Sequence, residues 1–268
     1  MNNKLTKILT ITVVFVLGVF GATATAVYAA PDSYWGNPPG STQTYGPGMM
    51  RTPNSQMNPY CTGTGDASTI LNLPKEDLTA EENEVLVFMF EEEKLARDVY
   101  TALAEKWNGG VFSMIAQAEQ QHMDSVSVLL DKYGLTYEEL PAGEFANAEL
   151  QALYTDLVAK GTLNVAEAYK VGALIEETDI RDLIDLQKVV DNQDILLVFQ
   201  NLQFGSNNHL NAFARNIQIA TGQAYTPSIL TQAEYDAIAS AQAGLRGGMM
   251  GRGSRPGGNF TAPVVPAP

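Results

Sequence analysis

A glutamate and a histidine that lie three positions apart, Glu119 and His122, have the clearest chemical potential in this sequence. On an α-helix this spacing places both side chains on the same face. A carboxylate oxygen and an imidazole nitrogen on one face are suited to hold a metal ion, with iron or manganese favoured and zinc also allowed. The chain contains only two histidines, so His209 is the other candidate nitrogen ligand.

Other acidic residues fall on helical stripes that are otherwise apolar. At about 100° per residue, Glu93 lies at the centre of one stripe, Glu176 and Asp179 lie within another, and His209 lies within a further one. Some neighbouring carboxylates are predicted to face outward, namely Glu91, Glu92 and Glu177. A buried carboxylate is costly unless it is paired, protonated or bound to metal. The pattern therefore predicts a cation in the core.

The same residues also allow a metal-free interpretation. Glu93 could pair with Arg97, one helical turn further on, and each histidine could be a core residue bonded to a carboxylate. The protein would then be a non-enzymatic helical bundle that acts as a binding or interaction module of the cell envelope. Both interpretations remain open from the residues alone.

The elements that must position these side chains are helices. Helical periodicity extends through the central part of the chain without a sustained period of two, which predicts an all-α domain. A capping box at Thr79 and Glu82 marks the start of the first long helix. The predicted long helices run to about Trp107, from Phe112 to Tyr133, from Asn164 to Val190, and from about Asp191 to Ala220. Two shorter helices are predicted at about Asn147–Lys160 and Thr231–Ser240. This order predicts a four-helix bundle with one long crossover and a short C-terminal helix.

The two ends of the chain differ from its centre. Residues 1–29 combine lysines, the apolar run Ile8–Val19 and small residues, which is typical of a secretory signal peptide. We expect export to the periplasm, the cell surface or the medium, with no stable membrane span after cleavage; an uncleaved N-terminal anchor is the alternative. From composition we expect residues 30–75 to form a Pro/Gly/Ser-rich linker and residues 76–242 to form the helical domain. Residues 243–268 are expected to form a flexible tail rich in Gly, Arg and Pro.

The acidic charge of the chain argues against a nucleic-acid partner, and its single cysteine limits disulfide and zinc chemistry. The formal net charge is −14, and residues 76–242 alone contain 28 acidic and 9 basic side chains. Such a surface argues against nucleic acid, whose phosphates require a basic face. The single Cys61 allows neither an intramolecular disulfide nor a cysteine-based zinc site.

Four segments resemble segments of known families. The segment from Glu93 to Tyr100 is similar to the first-helix ligand segment of rubrerythrin-type proteins, and Glu119-Gln-Gln-His122 matches the E-x-x-H of ferritin-like di-iron proteins. The run EEEKLARDVY, together with GALIEETDIRDL and GSNNHLNAF, resembles a ferritin-like domain family of bacteria and archaea that is catalogued as a domain of unknown function. The resemblance covers about residues 78–240.

The resemblance implies a non-haem iron site that reacts with dioxygen or peroxide, of the ferroxidase or oxidant-protection type. Glu119 would bridge two ions, Glu93 and Glu176 would cap them, and the two histidines would add nitrogen ligands. The fourth helix departs from the family pattern, because Ser206 replaces the usual glutamate. Asp179 could compensate, or the site could hold one ion. No C-x-x-C pair of a rubredoxin-like domain is present, so an external reductant would be required. A homodimer is compatible with this resemblance.

Overall fold

The computed structural model describes residues 67–249 and the side chains of residues 67–241. The predicted signal peptide, residues 30–66 of the predicted linker, Cys61 and the tail from residue 250 lie outside the described residues. Between residues 67 and 249 every regular element is an α-helix, so the prediction of an all-α fold is confirmed. No helix in this range is long and apolar enough to cross a membrane.

Seven helices follow one another in the described part of the chain, and four of them are long. They are α1 (Ala67–Asn72), α2 (Ala80–Trp107), α3 (Gly110–Tyr133), α4 (Ala148–Gly161), α5 (Val165–Leu186), α6 (Gln193–Thr221) and α7 (Gln232–Met249). The long helices are α2, α3, α5 and α6, with 28, 24, 22 and 29 residues.

Local signals set several helix ends. The capping box predicted at the start of α2 is present, because Thr79 Oγ1 accepts a hydrogen bond from the Glu82 N–H and the Glu82 carboxylate accepts one from the Thr79 N–H. Helices α3 and α6 stop at Gly134 and Gly222, whose φ angles of 75° and 73° lie in the left-handed region. Glycine adopts this conformation without strain, so both helices end where the sequence predicts.

Two helix ends differ from the prediction. Helix α5 ends at Leu186 rather than near Val190, because the N–H groups of Lys188 and Val189 bond to carbonyls three residues back and tighten the chain into turns. Helix α7 continues to Met249 instead of ending near Ser240. Its last residues include several glycines, whose low helix propensity explains why the sequence predicts a tail there.

The short helix α1 lies within residues 30–75, a segment for which the sequence predicts no helix. Its Ile70 side chain is fully buried. Lys132 of α3 donates hydrogen bonds to the carbonyls of Ile70 and Leu73 at 3.0 and 2.9 Å. These bonds satisfy carbonyls that the end of a helix leaves without an intrahelical partner. Contacts with α3 therefore support a helix that composition alone does not indicate.

The long helices pack as two neighbouring pairs. Helix α2 lies along α3, and α5 lies along α6; the pairs meet where α2 contacts α5 and α3 contacts α6. The long connection between α3 and α5 contains α4, which rests on both α2 and α5. The four long helices can therefore direct side chains into one shared interior.

The interior consists of two apolar clusters with polar residues between them. One cluster takes Val99 and Tyr100 from α2 and Phe213 from α6. The other takes Met89 from α2 and Phe199 from α6. On α2, α3 and α6, buried polar residues lie between the stretches that form the two clusters, and on α5 they lie shortly before Leu183, where the second cluster begins. A polar layer thus crosses the core, and its members are Glu92, Glu93, Glu119, His122, Glu176, Asp179, Ser206 and His209.

Candidate metal centre

Glu119 on α3 lies at the centre of the polar layer and is 1 % exposed. Its Oε2 atom lies 2.8 Å from Nδ1 of His122, one turn further along the same helix. Its Oε1 atom lies 2.9 Å from Nδ1 of His209, which projects from α6. The two carboxylate oxygens of one residue therefore face two different imidazoles.

Each histidine also lies close to a second glutamate from another helix. Glu93 of α2 places Oε2 3.1 Å from Nδ1 of His122, and Glu176 of α5 places Oε2 3.4 Å from Nδ1 of His209. The ligand atoms of Glu93, Glu119 and His122 all lie within 4.8 Å of one another, as do those of Glu119, Glu176 and His209. The structure thus brings five of the six sequence-predicted ligands into two triads that share Glu119.

Asp179, the sixth predicted ligand, lies in the same layer but outside both triads. Its carboxylate accepts a short hydrogen bond from the Ser206 hydroxyl of α6. Its other oxygen, Oδ1, is buried without a hydrogen-bond partner among the described residues. Ser206, which stands where the resemblance implies a glutamate, therefore holds a carboxylate that comes from α5 instead.

Several potential ligand atoms have no hydrogen-bond partner in the described part of the chain. Both ring nitrogens of His209 and Oε1 of Glu119 belong to this group, although Nδ1 and Oε1 are close to each other. Oε1 of Glu93 is also unpartnered. Buried polar atoms are normally satisfied, so a cluster of exceptions needs a physical reason. A metal ion between these atoms would use their lone pairs, so the residues present fit such an ion.

Burial of these side chains next to one another shifts the pKa values of the carboxyl groups in the polar layer. Burial raises the pKa of Glu93 and that of Glu176 to about 7, and the charge of Glu119 adds to both shifts. Burial also opposes the ionisation of Glu119, but His209 and His122 outweigh it and hold the pKa of that carboxyl well below its usual value. Glu119 and the two histidines therefore stabilise one another's charged forms.

Tyr100 of α2 supports the centre from one side. Its buried hydroxyl donates a hydrogen bond of 2.6 Å to Oε1 of Glu176. This bond leaves Oε2 of Glu176 directed toward His209. The ring packs against Phe213 with the centroids 5.2 Å apart, so the apolar cluster fixes the hydroxyl in place. The sequence places Tyr100 on the inward stripe but does not reveal this bond.

Gly205 of α6 is a residue that sequence reasoning missed. A Cβ atom at this position would lie 2.4 Å from Nε2 of His122. The imidazole therefore requires a residue without a side chain on the facing helix, and Nδ1 is the nitrogen that faces the carboxylates. A glycine in the middle of a predicted helix, one residue before an inward position, is the signal that could have revealed it.

Three predictions about neighbouring residues are wrong. Glu92 and Glu177 are buried rather than outward-facing. Glu92 lies near Asp182 of α5, and Glu177 accepts hydrogen bonds from the backbone N–H groups of residues 228–230. Arg97 does not pair with Glu93, because its guanidinium contacts Asp98, Gln120 and Glu139. Helical periodicity identifies one inward face, whereas these helices have neighbours on more than one side.

Comparison with known proteins identifies the family. A model described as an uncharacterized protein domain (DUF2202) matches residues 82–242. The chain belongs to this family. The matched region contains all six predicted ligands together with Tyr100, Ser206 and Gly205, so the polar layer lies wholly inside the family domain.

A relative from an archaeon is similar over almost its whole length. The uncharacterized protein MJ0754 of Methanocaldococcus jannaschii is 44% identical over 174 residues, which cover 64% of this chain and 94% of the relative. The crystal structure of the hypothetical protein MJ0754 from Methanococcus jannaschii DSM 2661 has a TM-score of 0.61, with coverage of 63% of this chain and 97% of that chain. The helical domain is therefore similar to a solved structure, and function has to be argued from the polar layer.

Proposed function

We propose that this protein is an exported, ferritin-like metalloprotein that holds one or two non-haem iron ions in the polar layer and reacts with dioxygen or peroxide. The observation that carries the proposal is the position of Glu119, whose two oxygens each face the Nδ1 atom of a different histidine at 2.8 and 2.9 Å. A carboxylate placed in this way is suited to bridge two ions.

The residues divide naturally into two sets of ligands. Glu93 and His122 would hold one ion, Glu176 and His209 would hold the other, and Glu119 would be shared. Asp179, with its unpartnered oxygen, is available to the same layer. Carboxylate and imidazole ligands suit iron or manganese, and zinc is also compatible with them. When bound, iron would supply one-electron chemistry with dioxygen or peroxide, with Fe(II) itself or another donor as the reductant.

The chain's own residues would bind, orient and shield the site. Tyr100 holds Glu176 by its hydrogen bond of 2.6 Å, and Gly205 leaves space for His122. The two apolar clusters lie on either side of the polar layer and keep bulk water away from it. Electrostatic interactions are stronger in such surroundings than in water. Repeated turnover would require an external reductant, since the single cysteine excludes a C-x-x-C electron-transfer site.

The alternative function is that of a non-enzymatic binding or interaction module. The His122–Glu93 and His122–Glu119 ion pairs, at 3.1 and 2.8 Å, favour it because they neutralise part of the layer without a metal. A thermal melt distinguishes the two functions, since a ligand that binds only the native state raises its stability. We expect Fe(II), added without oxygen, to raise Tm and a chelator to lower it again. An unchanged Tm would favour the interaction module.

Reactivity is tested by oxygen consumption after anaerobic loading with Fe(II). We expect the wild type and Glu84→Ala, which removes an exposed carboxylate of α2, to consume oxygen faster than Fe(II) in buffer. Glu119→Ala lacks the shared ligand, so we expect it to match buffer. Equal rates for Glu119→Ala and the wild type would contradict the proposed oxidation site.

Export is tested separately by the intact mass of the protein expressed in a bacterial host. Removal of residues 1–29 would leave Ala30 at the N-terminus, and we expect this shortened chain in the periplasm or medium. A full-length chain in the membrane fraction would instead indicate the uncleaved anchor.

A further inference from the structure

A narrow cleft leads from the surface of the domain to the polar layer, between α2, α4 and α5. At its outer end, Leu153 of α4 and Thr178 of α5 are partly exposed. At its inner end, Glu93, Glu119 and Glu176 have at most 2 % exposure. The candidate ligands are therefore reached through this opening.

The free space in the cleft is very small. Molecules the size of water can occupy about 30 Å³ of it. A cavity needs at least about 10–15 Å³ of such space to hold one water, and an apolar cavity that binds benzene has about 150 Å³. The cleft thus has room for one or two waters, or for a molecule of two non-hydrogen atoms such as dioxygen or hydrogen peroxide. An organic ring does not fit.

The walls that set this width are apolar and come from three helices. Helix α4 contributes Leu150, Leu153 and Leu157, and α2 and α5 contribute Leu95, Leu174 and Ile175. All of these except Leu153 are at least nine-tenths buried. Protein interiors are packed as densely as organic crystals, so such side chains cannot move aside without displacing their neighbours.

Helix α4 is held against α2 at both ends. Shortly before its first residue, the buried ammonium group of Lys94 donates a hydrogen bond of 3.0 Å to the carbonyl of Glu144. At its last residue, Nε1 of Trp107 donates one of 2.8 Å to the carbonyl of Gly161. The leucines of α4 therefore belong to a fixed wall, since moving α4 away from α2 would break these bonds.

We propose that this cleft is the route by which the oxidant reaches the candidate metal centre, and that α4 makes it a size filter. The filter admits dioxygen and hydrogen peroxide and excludes organic hydroperoxides. The inference rests on the proposed function, because the metal centre is what an oxidant would enter the cleft to reach. Leu153, at the outer end, is the residue that limits the size of the molecule admitted.

The first test measures access in the full-length protein freed of metal. Dissolved O₂ and the nitroxide TEMPOL are both paramagnetic and accelerate the relaxation of methyl groups that they approach, but TEMPOL contains a six-membered ring. Leu157 and Ile175 line the cleft, whereas Leu186 and Ile217 are similarly buried and do not line it. In NMR spectra we expect O₂ to relax the methyl groups of the cleft pair more than those of the other pair. TEMPOL should relax the cleft pair no more than the other pair.

Two tryptophan variants locate the route. Leu153→Trp fills the outer end of the cleft, and its matched control is Leu163→Trp, at a leucine that is 72 % exposed and does not line the cleft. We expect the effect of O₂ on Leu157 and Ile175 to fall in Leu153→Trp and to stay as in the wild type in Leu163→Trp. Leu153→Phe replaces the first variant if the tryptophan lowers Tm.

The second test compares two peroxides on protein loaded anaerobically with Fe(II). Each peroxide accepts one electron from each of two Fe(II) and takes up two protons, and its O–O bond breaks. Hydrogen peroxide then yields two waters, and cumene hydroperoxide yields one water and an alcohol. We expect the rate ratio of Fe(III) formation, hydrogen peroxide over cumene hydroperoxide, to be at least about tenfold higher with protein than with Fe(II) in buffer. Leu153→Ala should lower this ratio, and Leu163→Ala should leave it unchanged.

The inference is overturned if O₂ relaxes both pairs of methyl groups equally in the wild type, or if TEMPOL relaxes the cleft pair more. Equal effects of O₂ in the two tryptophan variants, or a peroxide ratio equal to that in buffer, would also overturn it. The relaxation measurements require no metal. A protein that retains iron but shows no preferred access of O₂ loses the size filter alone, and one that shows this access but retains no iron loses the proposed function.

Discussion

Single residues decide whether the ligands of the polar layer can take their positions. Gly205 is the sharpest case, because the backbone of α6 approaches Nε2 of His122 so closely that even a methyl group would clash. The residue contributes no ligand atom, yet the position of a ligand depends on it. Residues that fix the position of a metal ligand commonly affect metal binding strongly.

Replacement of this glycine gives the first prediction. We expect Gly205→Ala to displace the His122 ring and to weaken metal binding by about 10- to 100-fold, within the range known for changes around metal ligands. Iron titration followed by Tm measures the effect. Gly110→Ala is the matched control, since a Cβ atom there would meet nothing within 4 Å. Equal metal affinity in the two variants would contradict the role of Gly205.

Tyr100 gives the second prediction at this scale. Tyr100→Phe removes the hydroxyl that holds Glu176 but keeps the ring in its apolar cluster. We expect metal affinity to fall by about tenfold while the metal-free protein loses about 1–3 kcal/mol of stability. Tyr169→Phe, in which the ring can still stack on Phe112, serves as the control. Unchanged metal affinity in Tyr100→Phe would show that the bond does not orient the ligand.

Among the helices, a buried carboxylate ties α5 to the segment that precedes α7. Glu177, on α5, accepts hydrogen bonds from the N–H groups of Ser228, Ile229 and Leu230 at 2.9, 2.6 and 2.8 Å. The hydroxyl of Tyr225 also donates to it. The next residue toward the N-terminus, Glu176, points into the polar layer. Two adjacent glutamates thus face opposite sides of α5 and bind different partners.

The third prediction follows from this anchor. The amide of Glu177→Gln has one acceptor oxygen instead of two and no charge, so the hydrogen bonds from residues 228–230 and from Tyr225 can no longer all be made, and those that remain lose their charge assistance. We expect a loss of about 2–4 kcal/mol in the free energy of unfolding and faster amide hydrogen exchange in α7. Iron stoichiometry should stay as in the wild type. Unchanged exchange in α7 would contradict the anchoring role.

Comparison of the predicted and observed helices shows what local sequence can determine. The four long helices and the inward positions of Glu93, Glu119, His122, Glu176 and His209 follow from period and capping signals. The burial of Glu92 and Glu177 does not, because it depends on Asp182 and on residues 228–230, which packing brings close. Gly205 and Lys132 were missed for the same reason, since each acts on a residue of another helix.

At the scale of the whole molecule, a polar layer lies between two apolar clusters. This arrangement is costly in the absence of a cation, because burial raises the pKa of Glu93 and Glu176 to about 7. Burial alone would lower the pKa of His209, but Glu119 and Glu176 raise it to about 10. At mildly acidic pH the metal-free layer therefore carries protons on groups that would bind a metal.

The fourth prediction concerns the direction in which the affinity for metal changes with pH. Metal binding must displace these protons, so the affinity for metal decreases as the pH falls. We expect Fe(II), added without oxygen, to raise Tm more at pH about 7.5 than at pH about 5.5. In Glu119→Ala the increase should be small at both values. An equal or larger increase at the lower pH would contradict the assignment of these groups as ligands.

The most direct test of the central claim is the number of iron ions per chain after anaerobic loading and desalting. The wild type and Glu84→Gln, which changes an exposed carboxylate, should retain between one and two ions per chain. Glu119→Gln, which has the same shape but lacks the shared carboxylate, should retain close to none. Trace iron in the wild type, or equal iron in Glu119→Gln and Glu84→Gln, would contradict a metal centre built around Glu119.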